Sequence, residues 1–557
     1  MRNVYLLLFC LFLYPFFTSA QSPVWGWAKN SNSPGGFSHA EGNSIATDTW
    51  GNVYTTGSYE NPITFGAGLM PEPAFGDYFL VKHNRAGGIL WNRWALGTGF
   101  STTGNSVTTD INGNVLVTGS FSRGIAVFGT DTLRTDSTGG MFLVKYDTAG
   151  NVLWARSGIG SCLGHSVTTD GAGNIYIAGG FYSTVATFSG ITLYNDSISG
   201  YYNQFFIKYS PTGNIIWCRS NSAGVSGAFT RLSATEPGYI YLLGTFSSSR
   251  FTIGGATLYN YSSTSPLTDI YLARYDTAGN LIWARSAGGN NYDNITGVAS
   301  DQYGNAYISG NFTSDSIQFG TNTLRLDTSG VYTSKMYLVK YDSSGNAVWA
   351  RSDHATYMSN AKSVVLNVTD EPCISGYFYS TNIIFGTDTF YANGNFVVQY
   401  DTAGTVQWAK GFGDHNSEVY AITRDGANNL LLTGYQIGNL VIGNDTLFGS
   451  TGGVEDVFVA KLVWLTEDVK LTTTTINPLK AYPVPTNGIL NISLGEGNFI
   501  ALNMYDATGK KVYSNTLDPK TKTNEFQLNT ARFADGVYII HALRNDGVNY
   551  QKVVIQH

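Results

Sequence analysis

Charge and cysteine are what this chain has least of. Only 13% of its 557 residues are charged, with a formal net charge of −6. The 32 lysines and arginines are spread along the chain without a basic stripe, which argues against a nucleic-acid partner. Cysteine occurs four times, at Cys10, Cys162, Cys218 and Cys373. That is too sparse for a disulfide framework, leaving one pair or free thiols. Beyond the first twenty residues no apolar run is long enough to cross a bilayer. No long stretch has helical periodicity. Also missing are a His-x-x-His-type ligand pair, a nucleophile elbow and a glycine-rich phosphate loop, so no metal, cofactor or catalytic residue is expected.

What is plentiful is turn and strand material: 65 Gly, 36 Tyr and 31 Phe. Aromatic residues suit pleated, half-buried surfaces, and glycine suits tight turns. Residues 1–20 read as a secretory signal: Arg2, an apolar run from Val4 to Phe17, then small residues Thr18-Ser19-Ala20 before Gln21.

Internal repetition dominates the rest. Tryptophans recur at Trp25, Trp91, Trp154, Trp217, Trp283, Trp349 and Trp408, 59 to 66 residues apart. Glycines follow the same beat at Gly57, Gly119, Gly179, Gly244, Gly310, Gly376 and Gly434. So do strand-ending polar residues at Lys82, Lys145, Lys208, Arg274, Lys340, Gln399 and Lys461. One unit contains four strand-like segments, at 166–170, 174–179, 205–209 and 215–219. Asp-x-x-Gly-Asn turns such as Asp170–Asn174, Asp147–Asn151 and Asp276–Asn280 join first to second and third to fourth. Asp bonding its own backbone, then Gly at positive φ, makes a hairpin. These turns lack the further carboxylates of a calcium loop.

Seven four-stranded units predict an all-β fold, a seven-bladed β-propeller over 21–464. After Lys461 no fourth strand follows, while the mature chain opens on an orphan one, Pro23 to Ala28. The two defects cancel if the N-terminal strand completes the last blade, removing exposed sheet edges. Each unit also carries an insertion between second and third strands, such as Phe128-Gly129 with Thr132-Leu133, which predicts an extra hairpin. With their Gly-Asn-x-Tyr-x-x-Gly and Phe-x-Val-Lys-Tyr-Asp patterns, these units resemble SBBP-type propeller repeats of exported bacterial proteins, which carry no single activity.

Residues 465–480 read as a Thr-rich linker, and 481–557, with six or seven short strands, as a small Ig-like β-sandwich. The order Tyr482-Pro483-Val-Pro485, Tyr505-Asp-x-x-Gly509-Lys-x-Val512, Gly536-Val-Tyr538 and Lys552-Val-Val-Ile555 resembles the C-terminal sorting domain of the type IX secretion system of Bacteroidota. That resemblance implies Sec export to the periplasm, then passage across the outer membrane. It also implies that the secretion machinery and its sortase are partners, with the protein released or held at the cell surface.

Propeller geometry puts the fourth-to-first connections and the insertions on one face, and the uniform turns on the other. Binding sites sit on irregular loops, so the expected ligand contacts, to glycan or protein, are Asn43, Asn105, His165, Asp293, His354 and His415. The pairs Asp353-His354 and Asp414-His415 admit an acid–base reading, hence a lyase or hydrolase as the alternative to a binding module. A structural surface protein is the third reading.

Overall fold

The computed structural model describes residues 22–557, apart from 34–38, 67–68, 72, 74–75, 98–100, 137, 196–201, 226–229, 236–237, 263–266, 327–332, 451–452, 465–478, 495–498, 507–510, 518–524 and 545–546. The expected signal at 1–20 lies outside the described residues. The chain divides into two compact units, 1–464 and 465–557, and the described residues of both are all β.

Among the described residues the first unit holds five four-stranded antiparallel sheets and two in which four such strands are extended to six by an inserted hairpin. The third comprises Cys162–Thr169, Ile175–Phe181, Tyr202–Tyr209 and Ile215–Val225. The last comprises Ser417–Arg424, Leu430–Ile437 and Glu455–Val463, with Val24–Asn30 as its fourth strand. In that pairing Ala28 faces Ala460 and Lys29 faces Val459. Second and third strands are almost wholly buried, as in Gly140–Tyr146, because each sheet is covered by a neighbour on both faces. The core is accordingly a series of apolar clusters between adjacent sheets. One joins Tyr54, Tyr78 and Leu80 of the first sheet to Val117, Phe142 and Val144 of the second. Another joins Val459 and Leu431 of the seventh to Ile45 and Val53 of the first.

The turns explain two of the sequence series. Asp147 Oδ1 accepts from the backbone N–H groups of Ala149 (2.9 Å) and Asn151 (2.8 Å), and Oδ2 accepts from Asn151 Nδ2 (2.8 Å). This leaves Gly150 at φ +82°, where a side chain would be strained. A Cβ there would also stand 3.0 Å from the ring of Trp91, in the preceding sheet. Trp91 Nε1 and Lys82 Nζ both donate to Thr148 O in the same turn, at 3.2 and 2.8 Å. The clasp repeats around the ring: Trp217 and Lys208 donate to Thr277 O, and Trp349 and Lys340 to Thr402 O. Each sheet thus grips the third-to-fourth turn of the next.

At the closing seam Trp27 Nε1 donates to Arg85 O (3.2 Å) and lies against Gly87, while Lys461 Nζ reaches the same carbonyl at 3.4 Å. This corrects one member of the tryptophan series. Trp27, not Trp25, stands opposite Lys461, as Trp91 stands opposite Lys82. A bulge between Trp25 and Trp27 shifts the register, and Trp25 packs edge-on against Phe412 instead, ring centroids 5.0 Å apart.

The sixth sheet has no such turn to grip, because the third and fourth strands of the seventh come from opposite ends of the unit. There the basic residue is replaced by Gln399, whose Oε1 accepts from Trp408 Nε1 (3.1 Å), and Trp464 packs edge-on against Trp408. The irregular turn of the sixth sheet keeps the same geometry with different residues. Asn367 Oδ1 accepts from the N–H groups of Thr369 and Glu371, and Asp370 takes the left-handed position at φ +61°.

Among the described residues six insertions form two-stranded hairpins, including Ile125–Phe128 with Asp131–Arg134 and Ser316–Phe319 with Asn322–Arg325. The three described cysteines are unpaired, with Cys162 and Cys373 buried. In the second unit Lys480–Tyr482, Ile489–Ser493 and Glu525–Asn529 form one sheet; Phe499–Asp506, Lys511–Thr516, Gly536–Arg544 and Gly547–Ile555 form another. Both contribute to one apolar cluster that includes Leu490, Leu528, Met504 and Ile540.

The N-terminal strand supplies a full ladder plus the Trp27 clasp. Deleting residues 22–30 is expected to destabilise the first unit by several kcal/mol, and Trp27→Ala alone by about 2 kcal/mol. Urea unfolding followed by tryptophan fluorescence checks both. Unchanged midpoints would contradict the seam.

Candidate functional site

The innermost strands share a defect. Pairing to the second strand slips by one residue between Gly42 and Ser44, Gly104 and Ser106, Gly164 and Ser166, Ile295 and Gly297, Ala361 and Ser363, and Val419 and Ala421. A bulge re-aims the extra residue. Here the extra residues are Asn43, Asn105, His165, Thr296, Lys362 and Tyr420, and all six line one cavity of about 660 Å³. The fourth sheet contributes Arg231 from an unbulged strand.

Part of this ring is tied down. Asn43 Nδ2 donates to Gly104 O (3.1 Å), Asn105 Nδ2 to Gly164 O (2.9 Å), and Thr296 Oγ1 to Ala361 O (2.8 Å). His165 Nδ1 lies 3.3 Å from Thr230 Oγ1. Each of these residues bonds to the innermost strand of the next sheet, which fixes the wall. Burial, helped by the Arg231 guanidinium, holds the His165 pKa down to about 3, so its imidazole is neutral at pH 7.

Lys362 is different. Its ammonium lies over the faces of Tyr377 and Tyr420, 5.1 and 5.0 Å from the centroids, and no hydrogen bond to it exists among the described residues. Burial lowers its pKa, Glu418 and Glu41 oppose that, and Arg231 adds to it. Neither glutamate lines the cavity. Its described lining carries two cations, Arg231 and Lys362, and no carboxylate.

The structure brings together Asn43, Asn105 and His165 of the expected contacts, and leaves out the other three. Asp293 is fully buried at the start of Asp293–Ser300, where it accepts from Ser314 Oγ at 2.9 Å. It therefore sits in a strand and is buried, rather than on an exposed loop. His354 and His415 are exposed and outside the cavity. The Asp353-His354 pair is no dyad, since Asp353 is buried against Ser359 Oγ (2.8 Å) while its neighbour faces solvent. Residues not anticipated are Arg231, Thr296, Lys362 and Tyr420. The repeat held the signal: each bulge residue stands fourteen positions before its repeat glycine, from Asn43 and Gly57 to Tyr420 and Gly434.

In the second unit Tyr482 ends Lys480–Tyr482, with Pro483 and Pro485 just beyond it. Gly536 and Tyr538 open Gly536–Arg544, and Tyr538 OH donates to Ala534 O (2.8 Å). Lys552 is in Gly547–Ile555. Gly509 lies outside the described residues.

Residues 480–556 match the family described as secretion system C-terminal sorting domain. The tail therefore marks the chain for export through the type IX machinery, to the cell surface or beyond. A curated relative is an uncharacterized WD repeat-containing protein of Acanthamoeba polyphaga mimivirus, 26% identical over 423 residues, which are 61% of this chain and 30% of that protein. The chain thus matches less than a third of that relative's length. Similar solved structures include a protein of unknown function from Dyadobacter fermentans (9% identity, 80% of this chain and 98% of that one, TM-score 0.33). The Pan2 WD40 domain of Neurospora crassa (11%, 79% and 97%, 0.34) and a puromycin hydrolase mutant (9%, 83% and 59%, 0.41) are further neighbours. No helix among the described residues is long and apolar enough to cross a membrane.

Burial, against the pull of the Ser314 bond and with help from Asp269, raises the Asp293 pKa to about 7. A carboxyl raised above its unfolded value stabilises most below about pH 4, and that stabilisation is lost as pH rises through 7. Asp293→Asn removes this dependence. The variant's stability relative to the parent should therefore rise by roughly 1–3 kcal/mol from pH 4 to 7 and level off above. Taking the difference cancels the opposite trend of buried His83, whose pKa burial lowers to about 4. Denaturant unfolding at several pH values checks it; a flat difference would refute the assignment.

Proposed function

We propose that the protein is an exported binding module. In this reading it is a seven-bladed propeller of SBBP type spanning 21–464, closed by its N-terminal strand and made by a member of the Bacteroidota. An N-terminal signal takes it to the periplasm. The Ig-like tail at 481–557 takes it across the outer membrane, where a sortase releases it or fixes it to the surface. The ligand, a glycan or a protein segment, enters the channel at the end where the insertions lie.

One observation carries the binding reading. A place in the ring that a purely structural fold would fill uniformly holds six kinds of residue over seven sheets: Asn43, Asn105, His165, Arg231, Thr296, Lys362 and Tyr420. The turns at the opposite end repeat one design. The cavity is also of the size small ligands use, roughly 300–1,000 Å³. Catalysis is the weaker reading, because neither Asp-His pair reaches the cavity. The Asp-Thr/Ser-apolar triplets, such as Asp131-Thr132-Leu133 and Asp445-Thr446-Leu447, resemble an O-glycosylation acceptor motif of these bacteria, and Thr132 and Thr446 are exposed.

A glycan-array screen of the 21–557 chain tests the binding reading, with Asn105→Ala and His165→Ala as channel variants and His354→Ala and His415→Ala as controls. Binding should weaken at least tenfold in the channel variants and be unchanged in the controls. Loss in the controls alone would move the site to the outer loops. Deleting 481–557 should leave a folded first unit that accumulates in the periplasm on cell fractionation; normal export of the truncated chain would contradict the sorting role.

A further inference from the structure

Resting on the channel reading above, we propose that the cavity takes an acidic saccharide, its anionic group paired with Lys362 and Arg231. The protein as a whole is acidic, with 38 Asp and Glu against 32 Lys and Arg. Yet the described lining of the cavity carries two cations and no acid, and its histidine is held neutral. Arg231 disfavours the charge on Lys362, Glu418 and Glu41 offset part of that from outside the lining, and an anion entering the cavity would add to the compensation at its wall.

Lys362 is set up for such a guest. The Tyr377 and Tyr420 rings hold its ammonium in place through their faces, which uses none of its three N–H donors. A carboxylate or sulfate meeting that ammonium forms a charge-assisted hydrogen bond, the strong kind in a sheltered site. Glu41 and Glu418 favour the charged form of Lys362 from outside the lining, so they do not occupy the place of the guest.

The rest of the wall favours a hydroxylated guest over a bare ion. Asn294, Asn311 and Asn360 line the cavity beside the ring, and Thr103 and Ser120 add hydroxyls. Amides and hydroxyls offer paired donors and acceptors, which match vicinal sugar hydroxyls and give an apolar anion nothing. About 660 Å³ leaves room for more than an isolated oxyanion.

Isothermal titration of the 21–557 chain tests this with an oligogalacturonate, its fully methyl-esterified form, a sulfated galactose oligomer and inorganic sulfate as probes. The acidic oligomers should bind, more weakly at higher salt, and the esterified form at least tenfold more weakly. Whether the carboxylated or the sulfated oligomer binds tighter identifies which anion the site serves. Lys362→Met should weaken acid binding at least tenfold, and Lys362→Arg should restore most of it, with both melting as the parent does. If Lys362→Met melts lower, Asn360→Ala provides the second variant and should weaken oligomer binding but not sulfate. Equal binding of the esterified oligomer, sulfate binding as tightly as the oligomers, or no binding of any acidic probe would each overturn the proposal. If a neutral ligand binds and is lost in Asn105→Ala, the channel reading stands and only the acidic class fails. If a ligand binds and no channel variant affects it, both fail.

Discussion

The grip of each sheet on the turn of the next is the contact on which the first unit depends. A four-stranded sheet buried on both faces has no core of its own, so its stability is a property of the pairs it forms. The Trp ring on the turn glycine, with lysine and indole converging on one carbonyl, fixes how far each sheet is rotated from its neighbour. The apolar clusters between sheets then fill a gap whose width is already set. Glycine is required in the turn for two separate reasons: the backbone is left-handed there, and the preceding sheet's indole occupies the space of a Cβ.

The same grip accounts for the seam. Where the chain supplies the turn, the third strand carries lysine or arginine. Where the turn is missing, Gln399 and Trp408 satisfy each other and Trp464 covers them. On the other side of the seam Trp27 and Lys461 come from opposite ends of the unit to hold one carbonyl. Closure is thus made by the ordinary inter-sheet contact, and the sequence irregularities of the sixth and seventh units are its consequence.

The channel inherits its chemistry from a backbone defect. A regular innermost strand would alternate its side chains between the two neighbouring sheets. One inserted residue per strand turns a side chain out of that alternation and into the channel. Because this residue is not needed to fill the core, it is free to differ between sheets, and it does. Asn43, Asn105 and Thr296 spend their polar groups on the next strand, whereas Lys362 keeps its donors in reserve against two tyrosine faces.

Much of the fold was legible in the residues alone, because periodic strands, Asp-x-x-Gly turns and a matched pair of chain-end defects are local or countable features. The sorting tail was legible too, as an ordered set of short motifs. The choice of Trp25 over Trp27 went astray because a bulge changes register without changing composition. Asn43, Asn105 and His165 were within reach, since strand-opening positions face the channel by topology. Asp293, His354 and His415 were read as site residues because loops near strand starts look alike in sequence. Only the packing of the innermost strands against one another separates a buried carboxylate from an exposed histidine. That same packing brings Lys362 and Tyr420 together from sheets sixty residues apart. Sequence determines what each repeat is made of, and the tertiary structure decides which of its residues face one another, because a ring joins positions that no local pattern relates.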